Sequence, residues 1–313
     1  MRRITVIGAG NVGATTAQKI AEMQLAREVA IIDIVDGLPQ GKALDMWESS
    51  PIVGFDTKVV GGTDYALMKG SGIVVVTSGV PRKPGMSRSD LLAVNAKIIK
   101  DVVGKVKEFA PDAVLIMVTN PLDTMTYLAK HIMGKDRSKV FGMAGILDTS
   151  RFRTFIADEL DVAVKDVQAL VMGAHGDEMV PLPRYTTVAG IPIDRLLSRE
   201  RLDNLVKRTR NGGGEIVDLL KTGSAFYAPA ASIAEMVMAV SHDSHIIRPC
   251  STYLQGEYGI EDVCIGVPVK LGREGIIKVL ELPLADDEIT ALNKSAEKAR
   301  ADNEELKRAG FIV

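Results

Sequence analysis

Two cysteines, four histidines and no long apolar run set the first limits on this chain of 313 residues. Cys250 and Cys264 are too few for a disulfide framework and suit a reducing compartment, so the expected location is the cytoplasm. No stretch is long enough to span a bilayer, so no membrane partner is expected. Basic residues are not in excess: 38 Lys and Arg stand against 40 Asp and Glu, for a formal net charge of −2. Nothing there would hold a phosphate backbone, which argues against nucleic acid as a partner. The opening "MRRITVIGAG" is basic and then apolar, like a signal peptide. Its apolar part is short and runs straight into a glycine turn, so it reads as a first strand. His242 and His245 lack the cysteines or carboxylates that would complete a tetrahedral set, so no metal is expected and "SHDSH" reads as a turn.

What is present is alternation. Short, nearly continuous apolar runs occur at "ITVIG" (4–8), "VAIIDI" (29–34), "TKVVGG" (57–62), "GIVVVTSG" (72–79), "AVLIMVTNP" (113–121) and "KVFGMAG" (139–145). Such runs mark strands buried on both faces of a parallel sheet. Helical patterns over about 12–25, 89–109 and 122–133 fall between them, the second with Leu91, Leu92, Val94, Ile98, Val102 and Val106 at helical spacing and the third behind Pro121, a favoured first helical residue. Strand–helix alternation predicts an α/β doubly wound parallel sheet over residues 1–145, with ligands at the carboxyl ends of its strands. Past Gly145 the pattern loosens, which predicts a second, α+β domain over 146–313. It closes on a charged amphipathic helix over 286–308.

"GAGNVG" (Gly8–Gly13) leaves the first strand and opens a helix. Gly8 allows the tight turn, Gly10 a close backbone approach to a diphosphate, and Gly13 close helix–strand packing. The helix N-terminus then meets the phosphate charge. Asp33 ends the second strand, twenty residues past the last glycine. A carboxylate there accepts ribose hydroxyls and repels a 2′-phosphate, which selects NAD over NADP.

In "AGILDTSRFRTFIADEL", Asp148, Arg151, Phe152 and Phe155 share one helix face. Two aromatics turn that face inward and draw the charges out of water, which is costly unless they are paired. They could form a structural ion pair, or Asp148 or Thr149 could merely cap the helix. His175, set between Gly173-Ala174 and Gly176-Asp177, offers Asp148 another use: a carboxylate on one ring nitrogen fixes the tautomer. Arg151 presents a planar fork suited to a carboxylate. In the loop "GVPRKPGMSRSDLL", Ser87 and Asp90 have capping-box spacing. That puts Arg88 in a first helical turn, where the dipole disfavours a cation unless an anion arrives. Arg82 could read an anion or be solvated, and Lys83 reads as solvated. Asn120 sits at the expected ligand crevice or caps the next helix. "NGGGE" (211–215) reads as a flexible helix start. "TGSAFYAPA" (222–230) reads as a pocket wall bent at Pro229.

Together "GAGNVG", "IIDI", "SGVPRKPGMSR", "VTNP", "GILDTSRFR" and "MGAHGDEMVP" resemble, in order and spacing, the lactate/malate dehydrogenase family over essentially the whole chain. The likeness is nearest to the lactate-dehydrogenase-like branch that acts on malate. The resemblance implies a Rossmann nucleotide half, a catalytic half, and an assembly of identical subunits, four favoured over two. It implies NAD as cofactor and reversible hydride transfer between (S)-malate and oxaloacetate. His175 would be the proton donor and acceptor, with Asp148 as its partner. Arg151 would clamp the C1 carboxylate, Arg88 polarise the reacting carbonyl, Arg82 read the second carboxylate, and Asn120 touch substrate and nicotinamide ribose. Cofactor contacts would come from Gly8, Ala9, Gly10, Asn11, Val12, Gly13, Asp33, Asn95, Val118, Thr119 and Asn120. The alternatives are the same chemistry on pyruvate, an NAD-dependent glycosidase, and an NAD-binding protein without catalysis. Arg82 speaks against the first, where glutamine is typical. The second needs cysteine and histidine metal ligands together, and no such set is read from this sequence.

Overall fold

The structure, a computed structural model, describes residues 1–81 and 85–312. Six strands, β1 (Arg3–Ile7), β2 (Glu28–Ile32), β3 (Lys58–Gly62), β4 (Ile73–Val76), β5 (Val114–Met117) and β6 (Val140–Gly142), pair in parallel in the order β3-β2-β1-β4-β5-β6. This is the doubly wound order that brings all carboxyl ends to one edge. All four residues of β4, Ile73 to Val76, are buried, as a strand covered on both faces requires. The covering helices are α1 (Asn11–Glu22), α2 (Leu38–Glu48), α3 (Ser50–Val53), α4 (Arg88–Phe109) and α5 (Leu122–Met133).

Three details differ from the sequence reading. α2 and α3 carry no apolar stripe; α2 buries only Pro39 and Ala43, so periodicity could not reveal it. The inner face of α4 is Leu92, Asn95, Ala96, Ile99, Val102, Val103 and Val106, while Val94 points to solvent. Pro121 is the N-cap of α5, one residue before the first helical position.

The second half contributes α6 (Gly145–Leu160), β7 (Val167–Gln168), β8 (Val171–Gly173), β9 (Met179–Pro181), β10 (Thr187–Val188), β11 (Ile191–Pro192), α7 (Arg199–Leu220), α8 (Tyr227–Ser241), β12 (Ile247–Gln255), β13 (Glu261–Gly272), β14 (Gly275–Val279) and α9 (Asp286–Arg308). Its strands do not form a separate layer. Ser251 of β12 pairs antiparallel with Gly142 of β6, and the sheet continues through β13, β8 and β9. The parallel first half of the sheet therefore runs into an antiparallel second half without a break. "NGGGE" lies inside α7 and does not start a helix. Pro229 sits in the first turn of α8, where its fixed φ suits the helix and it bends nothing. Cys250 and Cys264 are buried and free on neighbouring strands, and burial pushes both thiols up. His242 follows the last turn of α8, and His245 lies 3.3 Å from Asp243. Among the described residues, no helix is long and apolar enough to cross a membrane.

Candidate active site

The turn after β1 is set by contacts that only glycine permits. Gly8 has φ +108°, and its N–H donates to Ile32 at 2.7 Å. A Cβ on Gly13 would stand 1.8 Å from the Gly8 carbonyl oxygen, so α1 can approach β1 only with glycine there. Gly10 differs: a Cβ on it would meet nothing within 4 Å, and no side chain caps α1. The first turn of α1 is thus an open set of N–H donors, the feature a diphosphate needs. Asn11 is exposed there and Val12 half-buried against the core.

Asp33, one residue past β2, accepts from Ala9 N–H through Oδ2 at 2.6 Å and from Val35 N–H through Oδ1 at 3.0 Å. Lys42 of α2 donates to the Ala9 carbonyl at 2.7 Å. One residue of the turn is therefore gripped by an anion and a cation. The open turn and a carboxylate anchored beside it fit a dinucleotide with free ribose hydroxyls.

The loops after β4 and β5 are joined by Asn95. Its Oδ1 accepts from Val80 N–H at 2.9 Å, and its Nδ2 donates to the carbonyls of Val80 at 3.1 Å and Asn120 at 2.7 Å. These bonds use the buried amide, so Asn95 shapes the crevice through two backbones. Thr119 Oγ1 donates to the Ser78 carbonyl at 2.6 Å, and Val118 N–H donates to Val76. Asn120 is exposed and caps no helix. Ser87 and Asp90 form the expected capping box, with Arg88 first in α4. Arg88 lies 3.1 Å from Asp177 across the cleft, an anion that the sequence reading left unassigned. Arg82 and Lys83 lie outside the described residues.

His175 sits at the tip of the β8–β9 hairpin. The tip is pinned: Ala174 N–H donates to Ser295 Oγ at 2.6 Å, and His175 N–H to Asp123 Oδ2 at 2.8 Å. Asp148 is in the first turn of α6, where the dipole favours its charge, and is 1% exposed. Its Oδ2 lies 2.9 Å from His175 Nδ1, which leaves Nε2 for a reactant. Burial works against charge on the imidazole, but Asp148 and Asp123 together outweigh it and the His175 pKa is raised. Thr149 does not cap α6; its Oγ1 accepts from Val171 N–H at 3.0 Å and ties α6 to β8.

Arg151 stands 3.6 Å from Asp148 Oδ1, too far for a hydrogen bond. Among the described residues, Arg151 Nε and Asp148 Oδ1 are both buried without a hydrogen-bond partner. An orphaned guanidinium nitrogen is costly unless an anion arrives. Burial also lowers the Arg151 pKa, with Asp148 opposing. The mid-helix glycines of α7 make room here: a Cβ on Gly212 would stand 3.1 Å from Arg151 Cδ.

A cavity of about 310 Å³ is lined by His175, Asn120, Arg88, Asp123 and Asp177. A larger groove of about 1000 Å³, between β9, α7 and α9, contains none of the sequence-predicted site residues. The sequence reading missed Asp123, the one charged residue among the buried side chains of α5. That burial was a usable signal. Ser251 and Ser295 gave none, since small hydroxyls occur anywhere.

Residues 2–142 match the lactate/malate dehydrogenase NAD binding domain, and residues 146–309 the family's alpha/beta C-terminal domain. The malate dehydrogenase of Roseiflexus castenholzii is 55% identical over 98% of this chain and 99% of its own. The crystal structure of the malate dehydrogenase from Salinibacter ruber superposes with a TM-score of 0.94 at 52% identity, covering 98% of each chain. The lactate dehydrogenase of Cryptosporidium parvum, solved with lactic acid and nicotinamide adenine dinucleotide, gives a TM-score of 0.94 at 40% identity, again over 98% of each chain. With the NAD binding domain and the alpha/beta C-terminal domain both matched, the chain belongs to the lactate/malate dehydrogenase family.

Proposed function

We propose that this chain is an NAD-dependent dehydrogenase interconverting (S)-malate and oxaloacetate, with residues 1–145 holding the cofactor and 146–313 the substrate. The observation that carries the reading is the His175–Asp148 pair beside an Arg151 whose Nε has no hydrogen-bond partner among the described residues. When bound, the nicotinamide accepts or donates the hydride at the substrate's C2. Gly8 to Gly13 and Asp33 hold the dinucleotide, with Asn95, Val118, Thr119 and Asn120 shaping the nicotinamide end. Arg151 takes the C1 carboxylate in a forked, charge-assisted pair. In malate oxidation His175 Nε2 removes the hydroxyl proton, and Asp148 stabilises the imidazolium that results. In oxaloacetate reduction the same nitrogen returns the proton. Arg88 exchanges Asp177 for the reacting carbonyl and stabilises charge on its oxygen. Arg82 reads the second carboxylate.

The lactate dehydrogenase of Cryptosporidium parvum shares this fold, so the fold does not decide between substrates. NADH oxidation against a panel of 2-oxo acids does. Oxaloacetate should be preferred over pyruvate by roughly a thousandfold or more, the size expected from one unpaired buried charge. Equal rates would sink the assignment. The protein acts in the cytoplasm as a homo-oligomer, four subunits being favoured. The support for assembly is a row of exposed apolar side chains on α2 and α3: Leu44, Trp47, Ile52 and Val53.

A further inference from the structure

Asp123 joins three elements. It lies in the first turn of α5, one turn past Asn120, and is 7% exposed. Oδ2 accepts the His175 main-chain N–H at 2.8 Å. Oδ1 accepts the Ser251 hydroxyl at 2.6 Å, at the point where β12 meets β6. One carboxyl group thus ties the Asn120 loop, the His175 hairpin and the strand that joins the two halves of the sheet.

We propose that Asp123 is a positioning residue for His175, fixing the histidine's main chain and placing a second negative charge beside its imidazole, in addition to that of Asp148. The proposal rests on His175 being the proton donor and acceptor.

Tethering alone would not need a charge. An asparagine could accept from His175 N–H and donate to Ser251 Oγ at the same separations. Burial resists the Asp123 charge and raises its pKa to about 6. The charge present at neutral pH is therefore held against desolvation. Its neighbours do not neutralise it: Cys264 on β13 is a buried thiol pushed well up. The charged groups around His175 are Asp148 and Arg151 from α6, Asp177 and Glu178 from its own hairpin, Arg88 from α4, and Lys298, Asp302 and Glu305 from α9. Among the described residues, only Asp148 and Asp123 hydrogen-bond to His175.

The test is Asp123→Asn, which keeps the shape and removes the charge. Less negative charge disfavours the imidazolium. The alkaline limb of kcat/KM for oxaloacetate and the acid limb for malate should both move to lower pH by about one unit, the low end of the effect of a neighbouring charge. The His175 imidazole of the free protein, followed by NMR with ¹³C-labelled histidine and assigned by its loss in His175→Asn, should titrate lower by the same amount. A merely structural residue would lower kcat and leave both limbs and the titration where they were; that result overturns the proposal. Should Asp123→Asn fail to fold, Ser251→Ala provides the second arm. It removes one donor to the carboxylate, raises the pH at which Asp123 ionises, and should shift His175 in the same direction by less. An unmoved titration there also overturns the proposal. Turnover surviving in His175→Asn would instead remove the acid–base reading, an outcome distinct from any of these.

Discussion

Each site residue is held by a bond whose loss has a direction. Asp148→Asn takes away the main partner that opposes burial at His175. The imidazole pKa should fall, and kcat should drop on the order of 10²- to 10⁴-fold, the contribution of a general acid–base group. The sign follows from the raised pKa. With His175 as the proposed proton donor, kcat/KM for oxaloacetate should decline as pH rises through that pKa, and in Asp148→Asn the decline should begin at lower pH. Stability is linked in the same way: the pair's contribution is complete below the ordinary imidazole value and is lost as pH rises through the raised one. Steady-state pH profiles of the unmutated protein and of Asp148→Asn, in both reaction directions, check these shifts. Arg82→Gln is the matching change for specificity. It should lower kcat/KM for oxaloacetate and raise it for pyruvate, because an arginine facing pyruvate's methyl is an unpaired charge in a closed pocket. Lys83→Gln should move neither. An unchanged substrate ratio in Arg82→Gln would remove the main physical support for malate.

At the scale of elements, what the sequence revealed depended on whether an element is made by its own residues or by its neighbours. β4 and α9 were legible because burial on both faces, or a run of charge on one, is written in consecutive positions. His175, Asp148 and Arg151 were legible because each charge interrupts an apolar or glycine setting. α2 was not, since only Pro39 and Ala43 of its residues are fully buried. The role of Gly212 was hidden for a related reason: its cause is Arg151, sixty-one positions earlier in the chain. Glycine inside α7 costs about 1 kcal/mol against alanine, and the gain is space for the guanidinium. Gly212→Ala should therefore raise thermal stability slightly or leave it unchanged. It should also raise KM for oxaloacetate several-fold, because its Cβ would press on Arg151 Cδ. Melting curves and kinetics on one protein separate the two effects. A lower melting temperature with KM unchanged would show that the glycine serves the helix and not the arginine.

At the scale of the whole molecule, α2 belongs to two surfaces at once. Its inner side sends Lys42 to the carbonyl of Ala9 in the cofactor turn. Its outer side, continued by α3, leaves Leu44, Trp47, Val53 and Ile52 in solvent, Ile52 at 89% exposure. A patch of that kind on a single subunit is suited to a second copy of the chain, because isologous contacts are the usual way to bury it. If it is buried in this way, assembly and cofactor binding share one short helix, and each should strengthen the other by the same factor. Trp47 is the only tryptophan, so its emission reports the patch directly. Diluting the protein should shift that emission to the red as subunits part, and NAD should move the midpoint to lower protein concentration. Ile52→Glu should lower the mass seen by light scattering at micromolar concentration while leaving the far-ultraviolet spectrum intact, since the side chain is exposed in one subunit. It should also weaken NAD binding measured by calorimetry, although residue 52 is not among the cofactor contacts assigned above. A reduced mass with unchanged NAD affinity would keep the interface on α2–α3 and reject the coupling through Lys42. An unchanged mass would place the subunit contact elsewhere.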